Sequence, residues 1–227
     1  MCRVSFPFFP RTNGFQTLIC SRLGTDAVLE VPCTVGGENV VLIDTPGFSD
    51  TNLSDTEILR MIAEWMKETY DDGFLLSGII YLHRITDNRM KGPSLKNLRM
   101  MKQLCGADSL QNVVLATTMW ENVTIEEGLR REVDLRRNFW NDLIAGGATV
   151  ARITTQSGVE AQTLVKSLLP NIPRPTRIQE ELHRGLTLVQ TAAGMELREE
   201  MTKLEQKLKA EHEREMRELR AAQESRE

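Results

Sequence analysis

Between residues 27 and 169, short apolar runs alternate with stretches whose apolar residues recur every three or four positions. Residues 27–35 (A-V-L-E-V-P-C-T-V) are rich in β-branched side chains, Gly36-Gly37-Glu38-Asn39 supply turn residues, and residues 40–44 (V-V-L-I-D) resume the apolar run. This pattern predicts a β-hairpin. Pro32 has no N–H to give to a ladder, which puts the first strand at a sheet edge, whereas the second is apolar on both faces and belongs inside the sheet. Ser54 with Glu57 forms a capping box ahead of Ile58, Met61, Ile62, Trp65 and Met66, so a helix is predicted over about 54–69. A buried strand follows over 76–82. A helix then opens at Pro93, with Leu95, Leu98, Met101 and Leu104 on one face, and ends near Gly106.

The alternation continues with a strand over 112–118 and a helix from the Thr124/Glu127 capping box to about residue 144, closed by Gly146-Gly147. A weak strand over 149–153 and a helix over 158–169 complete it, and Pro170, Pro173 and Pro175 make a stiff linker. Strands alternating with helices predict an α/β fold: a three-layer, mostly parallel sheet with one antiparallel edge hairpin. From residue 176 the composition shifts to Glu, Lys, Arg, Gln and Leu, and Leu197, Met201, Leu204 and Leu208 stand four, three and four apart. A long charged helix is predicted over 176–227, weakened in its first half by Gly185 and Gly194 at about 1 kcal/mol each relative to Ala. Its apolar repeat lasts about two heptads, consistent either with a solvated single helix or with a short coiled coil that recruits a second copy or a protein partner.

Composition narrows the function classes. The chain has 227 residues, 41% hydrophobic and 26% charged, with a formal net charge of -4; no basic surplus points to nucleic acid. Cys2, Cys20, Cys33 and Cys105 lack Cys-x-x-Cys spacing and there are three histidines, so neither a zinc site nor a disulfide framework is indicated. A reduced, cytoplasmic setting is the expectation. Pro7 and Pro10 interrupt the N-terminal apolar run before a signal segment forms, and no apolar stretch of about 20 residues could span a bilayer.

The residues that carry chemistry begin with Asp44-Thr45-Pro46-Gly47-Phe48, at the carboxyl end of the interior strand, where open α/β sheets bind ligands. An Asp there can hold a magnesium-bound water, and a Gly lets a backbone amide approach a terminal phosphate. Taken alone, D-x-P-G is equally a strand-ending turn. The order of hairpin, D-T-P-G-F, capped helix, strand, helix and a strand ending in Thr118-Met119-Trp120-Glu121 resembles the G domain of P-loop GTPases. Most similar are the septin-like and AIG-type (immunity-associated) groups, among them a fungal group with D-T-P-G-F and T-T-M-W. The resemblance covers about 25–169 and implies GTP and Mg2+ as ligands and GTP hydrolysis as the parent activity.

Carried over to this chain, the resemblance makes Asp44 the magnesium-side residue, with Thr45 beside it and Gly47 offering its amide to the γ-phosphate. Thr118 and Glu121 fall in the guanine-reading motif, and Thr25 falls where the family keeps a switch threonine on magnesium. Met119 and Glu121 depart from the family's Lys and Asp, which puts base specificity in doubt. Thr25 also suits an ordinary strand entry, and His83, after an apolar run, reads as a structural histidine.

The main departure lies in residues 1–24. No glycine of the chain is followed by lysine, so the Gly-Lys-Ser/Thr phosphate loop is missing, and Arg11-Thr12-Asn13-Gly14-Phe15 does not replace it. The expectation is a divergent segment 1–24, a truncated G domain 25–169 without its first strand, a linker 170–175 and the helix 176–227. The gap left by the strand is either open or covered from residues 1–24, with Phe8, Phe9, Phe15, Leu18 and Ile19 as candidates. Two histories fit: descent from an intact enzyme by truncation, or a pseudo-GTPase kept for interaction, acting as a scaffold through its C-terminal helix.

Overall fold

The computed structural model describes residues 4–8, 27–48, 53–87, 92–155 and 157–198, and beyond these Thr202, Gln206, Lys209, Glu213, Arg214, Met216 and Arg217. Six strands form one sheet: β1 (Val4–Phe8), β2 (Leu29–Val35), β3 (Glu38–Asp44), β4 (Ile79–Arg84), β5 (Val113–Thr118) and β6 (Thr149–Arg152), in the order β2-β3-β1-β4-β5-β6. The helices are α1 (Asp55–Asp71), α2 (Pro93–Cys105), α3 (Ile125–Asp134), α4 (Asn141–Ala145), α5 (Val159–Leu168), α6 (Arg177–His183) and α7 (Ala192–Met195).

The edge hairpin forms as its sequence predicts. Val35 pairs with Glu38 across Gly36 and Gly37, whose φ angles of 65° and 90° are those a two-residue hairpin turn requires. Pro32 sits on the edge strand β2, opposite Val41. On the other side of the sheet, β4, β5 and β6 run parallel. Strand β4 starts later than its apolar run because Gly78 packs against Leu168, where an added Cβ would come within 2.7 Å of the leucine side chain, and Leu76 instead bridges Arg174.

At the sheet's centre, the second of the two expected outcomes holds. The slot between β3 and β4 is not open: Val4–Phe8 fills it as a strand antiparallel to both neighbours, with Ser5 opposite Asp44, Phe8 opposite Val41, and Val4 opposite Tyr81. Two interior strands would otherwise leave facing rows of unpaired N–H and C=O groups, which cost too much to bury. The other candidate covers, Phe9, Phe15, Leu18 and Ile19, lie outside the described residues.

Alternation along the strands divides the core into two faces. Val41, Ile43, Ile79, Tyr81, Val113 and Leu115 point toward α1 and α2, while Val40, Ile80, Val114 and Ala116 point toward Leu164, Val165 and Leu168 of α5. Ser54 caps α1 in a full capping box, its hydroxyl accepting from the Glu57 amide and its amide donating to the Glu57 carboxylate at 2.9 Å. The predicted single helix over 124–144 is instead three pieces. After α3, a π-helical turn at Leu135–Phe139 shifts the phase so that both Leu135 and Trp140 reach the core before α4 begins.

The C-terminal expectation is corrected. Residues 176–197 do not start a separate long helix: Ile178, Gln179, Ala193 and Leu197 are fully buried, and α6 and α7 pack on α1 and α2. Thr176 and Gln179 form a capping box, and the Gln179 amide also donates to the Met66 carbonyl at 3.2 Å, tying α6 to α1. The linker is held too, by the Asn112 side chain donating to the Ile172 carbonyl at 2.9 Å. Leu197, the first residue of the apolar repeat, therefore belongs to the core, and Met201, Leu204 and Leu208 lie outside the described residues. The residues described beyond 198 are helical and exposed.

Truncating Ile178 to Ala in the full chain is expected to lower the stability of the whole domain by about 2–5 kcal/mol in denaturant unfolding. An unchanged midpoint would mean that α6 is an appendage after all.

His83 supplies a second expectation. Its ring is buried edge-on to Trp140, its Nδ1 has no hydrogen-bond partner, and burial pushes its pKa down to about 4. The folded state thus resists a proton that the unfolded chain accepts near pH 6.5. Stability from this group is full above about pH 6.5 and is lost as pH falls toward about 4. Unfolding midpoints of His83→Phe should fall less over that window than those of the parent chain; parallel pH profiles would count against the assignment.

Candidate functional site at the carboxyl edge of the sheet

Asp44 ends β3 and Thr118 ends β5, both at carboxyl ends of strands that run the same way, but Asp44 lies level with Ile80 and Val114, so Thr118 stands three strands across and four residues, about 13 Å, farther along. Thr45, Pro46, Gly47 and Phe48 are all buried, Phe48 packing into the core near α1, so the D-T-P-G-F turn is built into the domain floor. The structure thus places Asp44, Thr45 and Gly47 at the carboxyl end of β3, and Thr118 and Glu121 at that of β5, as two separate groups; Thr25 lies outside the described residues. Among the described residues, no group of three His, Cys, Asp or Glu side chains could hold a metal ion by itself. Asp44 is a single carboxylate, which fits a magnesium ion only where phosphates and water supply the other oxygens.

At the other end of this edge, the Thr118 hydroxyl lies 3.5 Å from the His83 carbonyl, tying the ends of β5 and β4. Met119 follows with φ 62° and ψ 34°, the left-handed region that a non-glycine residue seldom occupies, and its side chain is exposed. This sharp turn sends Trp120 back over the strand, where its indole N–H donates to the Thr117 hydroxyl at 3.0 Å. Gly128 leaves room for the ring, since a Cβ there would sit 2.5 Å from it. Glu121 is exposed on the short 3-10 turn over Trp120–Asn122.

A charged lock holds this turn from behind. The Arg152 guanidinium lies 4.9 Å from the Trp120 ring centroid, in cation–π range, and is gripped by Glu132 through two hydrogen bonds, one of 2.9 Å from Nε. Glu132 is buried, so the pairing is what makes its charge tolerable there, and Arg152 is held firmly protonated by it. After β6, the Glu160 carboxylate accepts from the Thr154 hydroxyl at 2.5 Å and from the Thr155 amide at 2.9 Å, and these bonds hold its pKa below the usual carboxylate range.

Sequence reasoning had no view of the Trp120–Arg152–Glu132 lock, because its members come from three separated segments. One signal was present: Glu132 occupies a helix position between the core residues Gly128 and Leu135, where an unpaired acid would be costly.

The direction of β1 has a consequence for phosphate binding. Its first residues lie beside Asp44, so the chain leaves β1 at the end of the sheet remote from Asp44 and Thr118. A parallel strand in that slot would deliver the next loop to the ligand edge; this strand does not.

No family model matches the chain. It is 33% identical over 101 residues to translocase of chloroplast 90 from Arabidopsis thaliana, an alignment covering 43% of this chain and 12% of that protein. The chain therefore corresponds to about an eighth of that relative's length. Among solved structures, Toc33 from Arabidopsis thaliana, as a dimerization-deficient mutant, superposes with a TM-score of 0.52 at 13% identity, covering 66% of this chain and 72% of that one. Toc33 in complex with GDP and Mg2+ superposes with a TM-score of 0.51 at 15% identity, covering 67% and 72%. At these identities the likeness is one of fold: the chain is an α/β domain built like Toc33.

Proposed function

We propose that this chain is a degenerate G domain of the AIG- and Toc-type lineage that keeps the magnesium-side and base-side edges of a guanine-nucleotide site but binds GTP weakly. The observation that carries this reading is the reversed β1, which faces the Asp44 edge with its amino end, so the chain leaves that strand at the opposite end. Support for a guanine nucleotide with Mg2+ comes from the D-T-P-G-F turn at the right strand end and from the fold shared with Toc33, which has been solved with GDP and Mg2+. Asp44 would hold a water of the magnesium shell and Gly47 would present its amide, while Thr118 and Glu121 would flank the base. Without the amide cradle and its lysine, at least three charge-assisted hydrogen bonds of about 1.5–3 kcal/mol each are lost, so affinity drops by about three orders of magnitude or more.

A second reading, a pseudo-GTPase scaffold, is favoured by the exposure of the described helical residues beyond 198, which leaves them available to a protein partner or another copy. Cys33 and Cys105 are free thiols, which suits a reducing, cytoplasmic setting. Among the described residues no helix is long and apolar enough to cross a membrane.

Titration of labelled GTP into the full chain with Mg2+ is expected to give a dissociation constant of about 1 mM or weaker. Micromolar binding, abolished by chelating magnesium and by Asp44→Ala, would restore an intact nucleotide site and overturn the degenerate reading.

A further inference from the structure

Helix α3 is turned the wrong way round for an isolated domain. Its inward side carries Gly128, the buried Glu132 and Arg131, whose guanidinium donates to the Ile85 carbonyl at 2.9 Å. Ile125, Leu129 and Val133, spaced by four and so on one stripe, are instead 78%, 40% and 45% exposed. Large exposed apolar side chains scattered singly need no explanation, but three in register along one helix make a patch that water penalises.

The charges around the stripe say what covers it. Glu126 and Glu127 stand in the first turn, whereas Arg130, Arg136 and Arg137, with the exposed Asp134 among them, follow toward the carboxyl end and the π-helical turn and leave that end net basic. Arg130 is well exposed, at 4.0 Å from Glu127. A second α3 laid antiparallel, with the two-fold axis through Leu129, sets Leu129 against itself, Ile125 against Val133 of the second copy, and the acidic end of each helix against the basic end of the other. Parallel docking would oppose like charges. The patch is thus complementary to itself, the condition for an isologous contact.

We propose that α3 is the self-association face of this protein, pairing antiparallel with α3 of a second copy through Ile125, Leu129 and Val133. The stripe runs along a helix of 10 residues, about 15 Å, so it falls short of the roughly 800 Å² per partner of a stable complex. The pair is a weak, reversible dimer with a dissociation constant on the order of 0.1 mM. This inference is independent of the nucleotide reading, since none of these residues belongs to the Asp44–Thr118 edge.

Sedimentation equilibrium of the full chain up to about 0.5 mM tests it. The parent chain should dimerise, and Leu129→Asp should lower the association constant at least about tenfold with an unchanged melting temperature. Ile125→Ser serves as a second variant should Leu129→Asp disturb folding. Glu126→Arg and Arg130→Glu should each weaken pairing, and the chain carrying both should regain it, because the exchange restores opposite charges across the two-fold axis. A chain monomeric at every concentration would assign the stripe to a different protein and overturn the proposal. Association unaffected by Leu129→Asp would place the contact elsewhere, for instance on the C-terminal segment, and a double exchange that fails to restore pairing would exclude the antiparallel geometry.

Discussion

Everything in this fold depends on how the slot between β3 and β4 is closed. Each of these strands carries backbone donors and acceptors on the side facing the other, and burial between two helical layers denies them water. A strand must lie there. Hydrogen bonding does not dictate its direction: an antiparallel ladder satisfies the same groups as a parallel one, with geometry at least as favourable. Val4–Phe8 therefore completes the sheet in the reverse sense, although Pro7 lies opposite Leu42 and can donate no ladder bond. Stability and ligand binding part company at this point. The sheet needs only a strand, while a phosphate site needs a strand whose carboxyl end opens at the ligand edge.

Local patterns made much of the α/β framework legible. The Gly36-Gly37 hairpin, the edge position of Pro32, the Ser54 capping box and the alternation in β3 and β5 are short-range signals, and each appears where the residues imply. What stayed hidden depends on long-range partners. The strand in residues 4–8 is short and interrupted by Pro7, so only its pairing with β3 and β4 identifies it. The break in the helix after Asp134 follows from the need to bury both Leu135 and Trp140, five positions apart, which regular helical spacing cannot put on one face of a single helix.

The C-terminal misreading is instructive because its signal was local. Thr176 followed by Gln179 is a capping box, and Ile178, Glu181 and Leu182 then give a short amphipathic pattern interrupted by Gly185. Read as a helix start and stop, these residues describe α6 well. The charged composition of residues 196–227 dominates the window instead, and Gly185, which ends α6 with a φ of 88°, reads as a weak point inside one long helix. The same error hid the role of Glu181, which accepts from Arg177 at 2.8 Å and from the Ala192 amide at 2.9 Å, and so joins α6 to α7.

Glu132 connects the base-side edge to the outer surface. Burying its carboxylate requires Arg152, and holding Arg152 at that point lays the guanidinium over Trp120, which fixes the turn that carries Met119 and Glu121. The same requirement sets the rotation of α3 about its axis. With Glu132 directed inward, helical spacing commits Leu129 and Val133 to the neighbouring, outward stripe. An exposed aliphatic face is therefore the geometric consequence of a buried ion pair, not a separate defect. A chain that relieved the exposure by rotating α3 would have to bring Glu132 toward water and release Arg152 from the indole, so the polar lock on one side of the helix and the apolar stripe on the other persist together.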